Sequence, residues 1–87
     1  MEQEIRAWVL DWFQKQSHVP LTELENHMDE NYFECGYMDS FAFIELVADT
    51  EARWGITFAN DQFLNRSFAT LAGFIRIVLE KQKEIKG

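Results

Sequence analysis

The sequence is poor in residues that cross-link or interrupt a chain: one cysteine, one proline and four glycines in 87 positions. A lone Cys35 excludes an internal disulfide and predicts a reducing, cytoplasmic setting. Basic residues are also scarce. Eight lysines and arginines face fifteen acids, a net charge of −7. The imbalance sits in the first part of the chain: residues 1–51 hold twelve acids and two bases (−10), residues 52–87 three acids and six bases (+3). A leading surface of that sign excludes nucleic-acid binding, which needs a basic face, and favours basic protein partners steered by opposite charge. No apolar run approaches the roughly 20 residues of a membrane span, and the opening MEQEIR is too polar and acidic for a signal peptide.

Aromatic residues, by contrast, are plentiful. Eight Phe and three Trp allow a small core to bury much area per residue. With 47% apolar and 26% charged residues, the composition is that of a globular chain, and the length suits a single domain over 1–87, expected to be a monomer. In residues 2–16, Ile5, Trp8, Val9, Trp12, Phe13 and Gln16 recur at helical spacing, with Pro20 beyond the end. Ser17 to Met38 reads as a long connection, pinned to the core by Leu21, Leu24, Met28, Tyr32 and Phe33. A helix is predicted from Ser40 to Trp54, capped by Asp39 before it and Gly55 after it, with Arg53 complementing the dipole in its last turn. A short helical turn follows at Gln62–Asn65. Ser67 is the expected N-cap of a last helix whose apolar face is Leu71, Phe74, Ile75, Val78 and Leu79, and the polar tail KQKEIKG is expected to fray. No segment alternates as a strand does. The expected fold is all-α: a small four-helix bundle of three main helices and one short one, with a long first loop.

The Ser40–Trp54 helix carries two apolar stripes. At 100° per residue, Phe43, Leu46, Val47, Thr50 and Trp54 share one side, and Phe41, Ile44, Ala48 and Ala52 lie nearly opposite. So small a bundle buries one stripe well and two only with difficulty. The heavier first stripe is assigned to the core. The second, with Glu45 inside it and Asp49 and Glu51 at its edges, then has the character of a partner-docking surface: Phe41, Ile44 and Ala48 rimmed by carboxylates. Ser40 stands at the head of this helix, where a hydroxyl stays at the surface and the helix dipole favours a phosphate. Local chemistry alone favours the plainer reading, in which Asp39 and Ser40 are no more than a cap.

The run from Asn31 to Phe41, NYFECGYMDSF, resembles the signature of the acyl carrier protein family, the phosphopantetheine-dependent acyl and peptidyl carriers. That signature has a Phe, a Gly two or three residues on, an apolar residue, then Asp-Ser followed by Leu, Met or Phe. The matching positions here are Phe33, Gly36, Met38, Asp39, Ser40 and Phe41. The similarity continues through Ile44-Glu45-Leu46, Trp54-Gly55-Ile56 and Phe68-Ala-Thr-Leu71, nearly the whole chain. The resemblance implies a four-helix bundle that is not itself an enzyme. A phosphopantetheinyl transferase would attach 4'-phosphopantetheine from coenzyme A to Ser40, beside Asp39. The arm's thiol would carry an acyl or aminoacyl group as a thioester, loaded by an acyl- or aminoacyl-ligase and presented to downstream synthase or transferase enzymes. Phe41 and Phe43 replace the leucine and small polar residue more usual in fatty-acid carriers, and Ala52 and Arg53 replace acids. These differences point towards a dedicated carrier of a biosynthetic cluster, whether for fatty acyl, polyketide or nonribosomal peptide chemistry, or towards the aminoacyl carriers that include the D-alanyl carrier. Both remain open, as does an unmodified helical protein-interaction domain of the same fold.

Other chemistry finds less support in the sequence. His18 and His27 lie among Glu23, Glu25, Asp29 and Glu30, but the spacing matches neither a helical His pair nor a calcium loop, so no metal site is read there. No base or basic cluster neighbours Cys35 in sequence, which reads as a plain loop cysteine. Asp11 and the loop acids form no recognisable general acid–base pair.

Overall fold

The computed structural model describes residues 2–86. Helix α1 (Glu2–Ser17) buries Ile5, Val9, Trp12 and Phe13 as predicted, and Leu10 besides, while Gln16 lies exposed. It ends because His18 turns into the left-handed region (φ 58°), where its N–H reaches the Gln14 carbonyl at 2.9 Å. The single proline does more than stand beyond this end. The Pro20 carbonyl accepts from the N–H groups of Glu23 (3.1 Å) and Leu24 (3.2 Å) and so starts a short helix, α2 (Leu21–Asn26). The short helix of the bundle therefore lies inside the connection read from sequence as a loop. The turn expected at Gln62–Asn65 is a 3-10 turn over Asn60–Leu64. Of the five expected anchors, Leu24 and Tyr32 are buried and Met28 is half-buried, but Leu21 and Phe33 are exposed.

Helix α3 (Ser40–Trp54) has the predicted bounds. Asp39 is its N-cap: the side chain accepts from the Ala42 N–H at 2.8 Å. Gly55 closes it in the left-handed region (φ 65°), and the N–H groups of Gly55 and Ile56 share the Glu51 carbonyl at 2.9 and 3.3 Å.

Helix α4 spans Leu71–Lys86, and its N-cap is Thr70 rather than Ser67. The Thr70 hydroxyl oxygen accepts from the Gly73 N–H at 3.0 Å, and the Thr70 carbonyl accepts from Phe74 at 2.8 Å. Ser67 lies in a separate 3-10 turn, Arg66–Ala69, capped by the Asn65 side chain. The two elements pack so closely that a Cβ on Gly73 would stand 1.9 Å from the Ser67 carbonyl oxygen. A continuous helix from Ser67 is incompatible with that approach. At its other end α4 does not stop where the polar tail begins. Gln82 is buried, and its side-chain amide donates to the Trp54 carbonyl at the end of α3, so the helix continues to Lys86.

The core lies between α1 and α4, with α3 laid across them through Leu46, Thr50 and Trp54. Within it, Phe58, Phe68 and Phe74, with the half-buried Phe43 against them, make edge-on and tilted contacts, with ring centres 5.1–5.9 Å apart. Trp8 meets Trp54 edge-on at 6.3 Å, and the Arg53 guanidinium lies 4.2 Å over the Trp54 ring.

Two substitutions test this packing by thermal or denaturant unfolding. Leu46 is fully buried; Leu46→Ala is expected to cost about 2–5 kcal/mol. Gly73→Ala should also destabilise, by about 1–3 kcal/mol or more, because the new methyl meets backbone that has nowhere to move. In an unobstructed helix the same change would stabilise by about 1 kcal/mol, so the sign of the effect decides.

Candidate functional site

The loop that leads to Ser40 is tied to the head of α4. The Ala72 N–H donates to the Met28 carbonyl at 3.0 Å, and the Tyr32 N–H donates to the Ala69 carbonyl at 2.9 Å. Asn31 and Thr70 form an isolated antiparallel bridge. The buried Tyr32 hydroxyl donates to the Phe68 carbonyl, and burial pushes its ionisation well above the ordinary tyrosine range. From this anchorage the chain turns tightly. The Asn31 side chain accepts from Phe33 and Glu34, Cys35 N–H reaches the Asn31 carbonyl, and Tyr37 N–H reaches the Tyr32 carbonyl. Met38 is buried, Asp39 caps α3, and Ser40 emerges exposed as the first residue of that helix.

The two stripes of α3 meet different surroundings. Leu46, Thr50 and Trp54 are buried, and Phe43 and Val47 are half-buried against the core. On the opposite side Phe41 is 77% exposed and Ile44 67% exposed, with Ala48 and Ala52 also at the surface. The acids around this face are not equivalent. Glu45 is exposed and enters no ion pair among the described residues. Asp49 accepts the indole N–H of Trp12 at 2.8 Å, which fastens α3 to α1. Glu51 accepts the Phe58 N–H at 3.0 Å and holds the segment after α3. Two of the three predicted rim carboxylates therefore have intramolecular work, through pairings 37 and 7 residues apart in the chain that no local pattern announces. Asp39 is engaged too. Its carboxylate occupies the Ala42 N–H, one of the helix-start donors otherwise open to a phosphate on Ser40.

The exposed edges of Phe33 and Phe63 flank Phe43, Asn65, Phe68 and Ala69 around a notch of about 200 Å³. That is smaller than the roughly 300–1,000 Å³ of typical ligand pockets. Histidine, carboxylate and thiol also come together in the loop, through His27, Glu30 and Cys35. The His27 Nδ1 pairs with Glu30 Oε2, and the Cys35 thiol lies 3.9 Å from Glu30 Oε1. Partial burial, and after it the negative charges of Glu30, Glu34 and Glu23, push the Cys35 thiol up from its ordinary value. Sequence separation hid this cluster, because its three members converge only once the turn at Asn31–Gly36 has formed. His18, by contrast, serves as the left-handed residue that ends α1.

Neither a curated protein nor a solved structure matches the chain. The family described as the phosphopantetheine attachment site does, over residues 7–76, a stretch that takes in α1 from Ala7 on, the tied loop, all of α3 and the start of α4. Members of that family carry a covalently attached 4'-phosphopantetheine and act as carriers rather than catalysts. With the match covering most of its length, this chain belongs to the phosphopantetheine attachment site family, the acyl and peptidyl carrier protein domain.

Proposed function

We propose that Ser40 is the attachment point of the arm, and that the chain carries an acyl or aminoacyl group as a thioester on the arm's thiol. The observation that carries this reading is the position of Ser40. It is exposed at the start of a helix whose one face is buried and whose other face, headed by Phe41 and Ile44, is open to solvent. A modifying enzyme must reach the hydroxyl and grip the carrier without unfolding it. An apolar strip with Glu45 inside it, beside a surface serine, offers both. The reacting group is an ordinary alcohol. The phosphopantetheinyl transferase supplies the chemistry: the Ser40 oxygen bonds to the phosphorus of coenzyme A's phosphopantetheine phosphate, the pyrophosphate link breaks and adenosine 3',5'-bisphosphate leaves, and the serine proton passes to a base of that enzyme.

After attachment, a ligase loads the thiol, and downstream synthase or transferase enzymes take the cargo. A single cysteine, Cys35, accords with a cytoplasmic setting. The aromatic pair Phe41 and Phe43 and the less acidic Ala52-Arg53 favour a dedicated pathway, with an aminoacyl carrier of the D-alanyl type as the second reading.

Intact mass after incubation with coenzyme A and a promiscuous phosphopantetheinyl transferase tests the attachment. The wild-type chain should gain one phosphopantetheine, and Ser40→Ala none, with its helical circular dichroism kept. Modification of Ser40→Ala at another residue would overturn the assignment.

The docking face divides into separable effects, read as modification rates at low and high salt. Glu45→Lys should slow association at low salt and leave stability unchanged, since exposed charge acts mainly on encounter and is screened beyond about 10 Å at 0.1 M. Asp49→Lys should slow association and also lower stability by about 1–3 kcal/mol, because it strands the Trp12 N–H. Ile44→Ala should shorten the life of the complex with little salt dependence. A Glu45→Lys chain that reacts at the wild-type rate in low salt would show that partners read another surface.

A further inference from the structure

The loop that delivers Ser40 also gathers three metal-ligating side chains that the carrier function does not use. His27 stands at the C-cap of α2, Glu30 three residues on, and Cys35 after the Asn31 turn. One donor atom from each lies within 4.8 Å of the other two. Ligands on a common tetrahedral zinc ion stand roughly 3.3–3.6 Å apart, from metal–ligand lengths of about 2.0–2.3 Å. The donors must therefore draw closer than they now stand to close on an ion. The backbone already fixes the three positions relative to one another: His27 N–H reaches the Leu24 carbonyl (3.1 Å), Glu30 N–H the His27 carbonyl (3.2 Å), and Cys35 N–H the Asn31 carbonyl (3.0 Å). The stretch is tied to the core at Met28 and Tyr32, between His27 and Cys35, and the turn that carries Cys35 is closed by the N–H groups of Cys35 and Tyr37 on the Asn31 and Tyr32 carbonyls. An open cleft of about 460 Å³, lined by Asp29, Glu30, Asn31, Glu34 and Cys35, adjoins two of the three donors, Glu30 and Cys35, and His27 reaches it through its pairing with Glu30.

We propose that His27, Glu30 and Cys35 form a zinc-binding site with one coordination position open to water or to an external ligand. The donor set selects the metal. Calcium and magnesium take oxygen ligands and have little use for a thiolate, whereas zinc accepts sulfur, imidazole nitrogen and carboxylate oxygen together. Three protein ligands leave the fourth tetrahedral position open. The site is independent of whether Ser40 is modified. It lies at the surface, away from the buried stripe of α3, so losing a ligand leaves the core intact.

The experiment is a cobalt(II) titration of the Ser40→Ala chain, kept reduced, in which Cys35 is the only thiol. The expected result is one equivalent bound, with intense visible bands of tetrahedral cobalt and a thiolate-to-cobalt charge-transfer absorption in the near ultraviolet, both abolished by one equivalent of zinc. Cys35→Ser should remove the charge-transfer absorption. His27→Ala should weaken zinc binding at least about tenfold, the loss typical even of a ligand's outer-shell partner. Glu34→Gln and Asp29→Asn should bind as the parent does, and all variants should keep the parent's circular dichroism. Octahedral cobalt without the sulfur absorption overturns the site. So does zinc affinity that falls in Glu34→Gln but not in His27→Ala, which would mark only diffuse attraction to the acidic loop.

Discussion

The clasp between the first loop and the head of α4 governs the rest of the structure. A helix start exposes N–H groups that need acceptors, and a long connection carries backbone groups that need partners as well. Here each satisfies the other. The Met28 carbonyl takes the Ala72 N–H, the Ala69 carbonyl takes the Tyr32 N–H, and Thr70 takes Gly73 through its side chain and Phe74 through its carbonyl. Tyr32 adds a buried ring and a hydroxyl bond to Phe68. The Cβ-free position at Gly73 lets the 3-10 turn approach α4 closely enough for this arrangement. With the loop held at Tyr32, only a short turned stretch remains before Asp39, and the place of Ser40 is set from both sides: by the clasp before it and by the Asp39 cap after it.

Helix α3 depends on the same economy of partners. Its buried face is anchored by Leu46, Thr50 and Trp54, and its C-terminal half is fastened by polar contacts from elsewhere. Trp12 reaches Asp49 from α1, Gln82 reaches the Trp54 carbonyl from α4, and Glu51 holds Phe58 in the segment that follows. The helix can leave Phe41 and Ile44 in water because its fixation does not rely on them. An exposed apolar pair costs free energy in the isolated chain, and a carrier that must be gripped by successive enzymes has a use for it that a purely structural domain lacks.

What was legible in the sequence follows from the range of the interactions involved. The limits of α3 were legible because Asp39 and Gly55 act on their own neighbours, and its two faces because a period of 3.6 sorts side chains without knowledge of the rest of the fold. Helix α2 was not: six residues give fewer than two turns of periodicity, and its stability comes from burying Leu24 in a core built by other segments. Ser67 and Thr70 are both good cap residues, and the choice between them rests on the close approach at Gly73 and on the bridge from Asn31, contacts made across the fold. Leu21 and Phe33 show the converse error, since apolar character in a loop says nothing about which side of the chain faces the core. The resemblance around Ser40 needed none of this, because it rests on residue types at fixed spacing.

The acids of the first half of the chain show how one composition serves several ends. The net −10 of residues 1–51 suggested an acidic surface offered to basic partners, yet its members do different things. Asp39 caps, Asp49 and Glu51 accept hydrogen bonds that hold helices and turns together, and Glu25 and Asp11 pair with Arg6 (3.5 Å) and Lys15 (3.0 Å). A carboxylate committed to a backbone or indole N–H still projects its charge over several ångströms and so still steers an approaching partner, but it is less free to re-form bonds within an interface. On the docking reading proposed above, long-range attraction would draw on many of these acids, while contact specificity on the exposed face of α3 would fall to the few side chains left uncommitted, with Glu45 among Phe41 and Ile44 at the centre. That separation lets the same residues stabilise the fold and still guide encounter, which a chain of this length, with so little surface to divide, has reason to exploit.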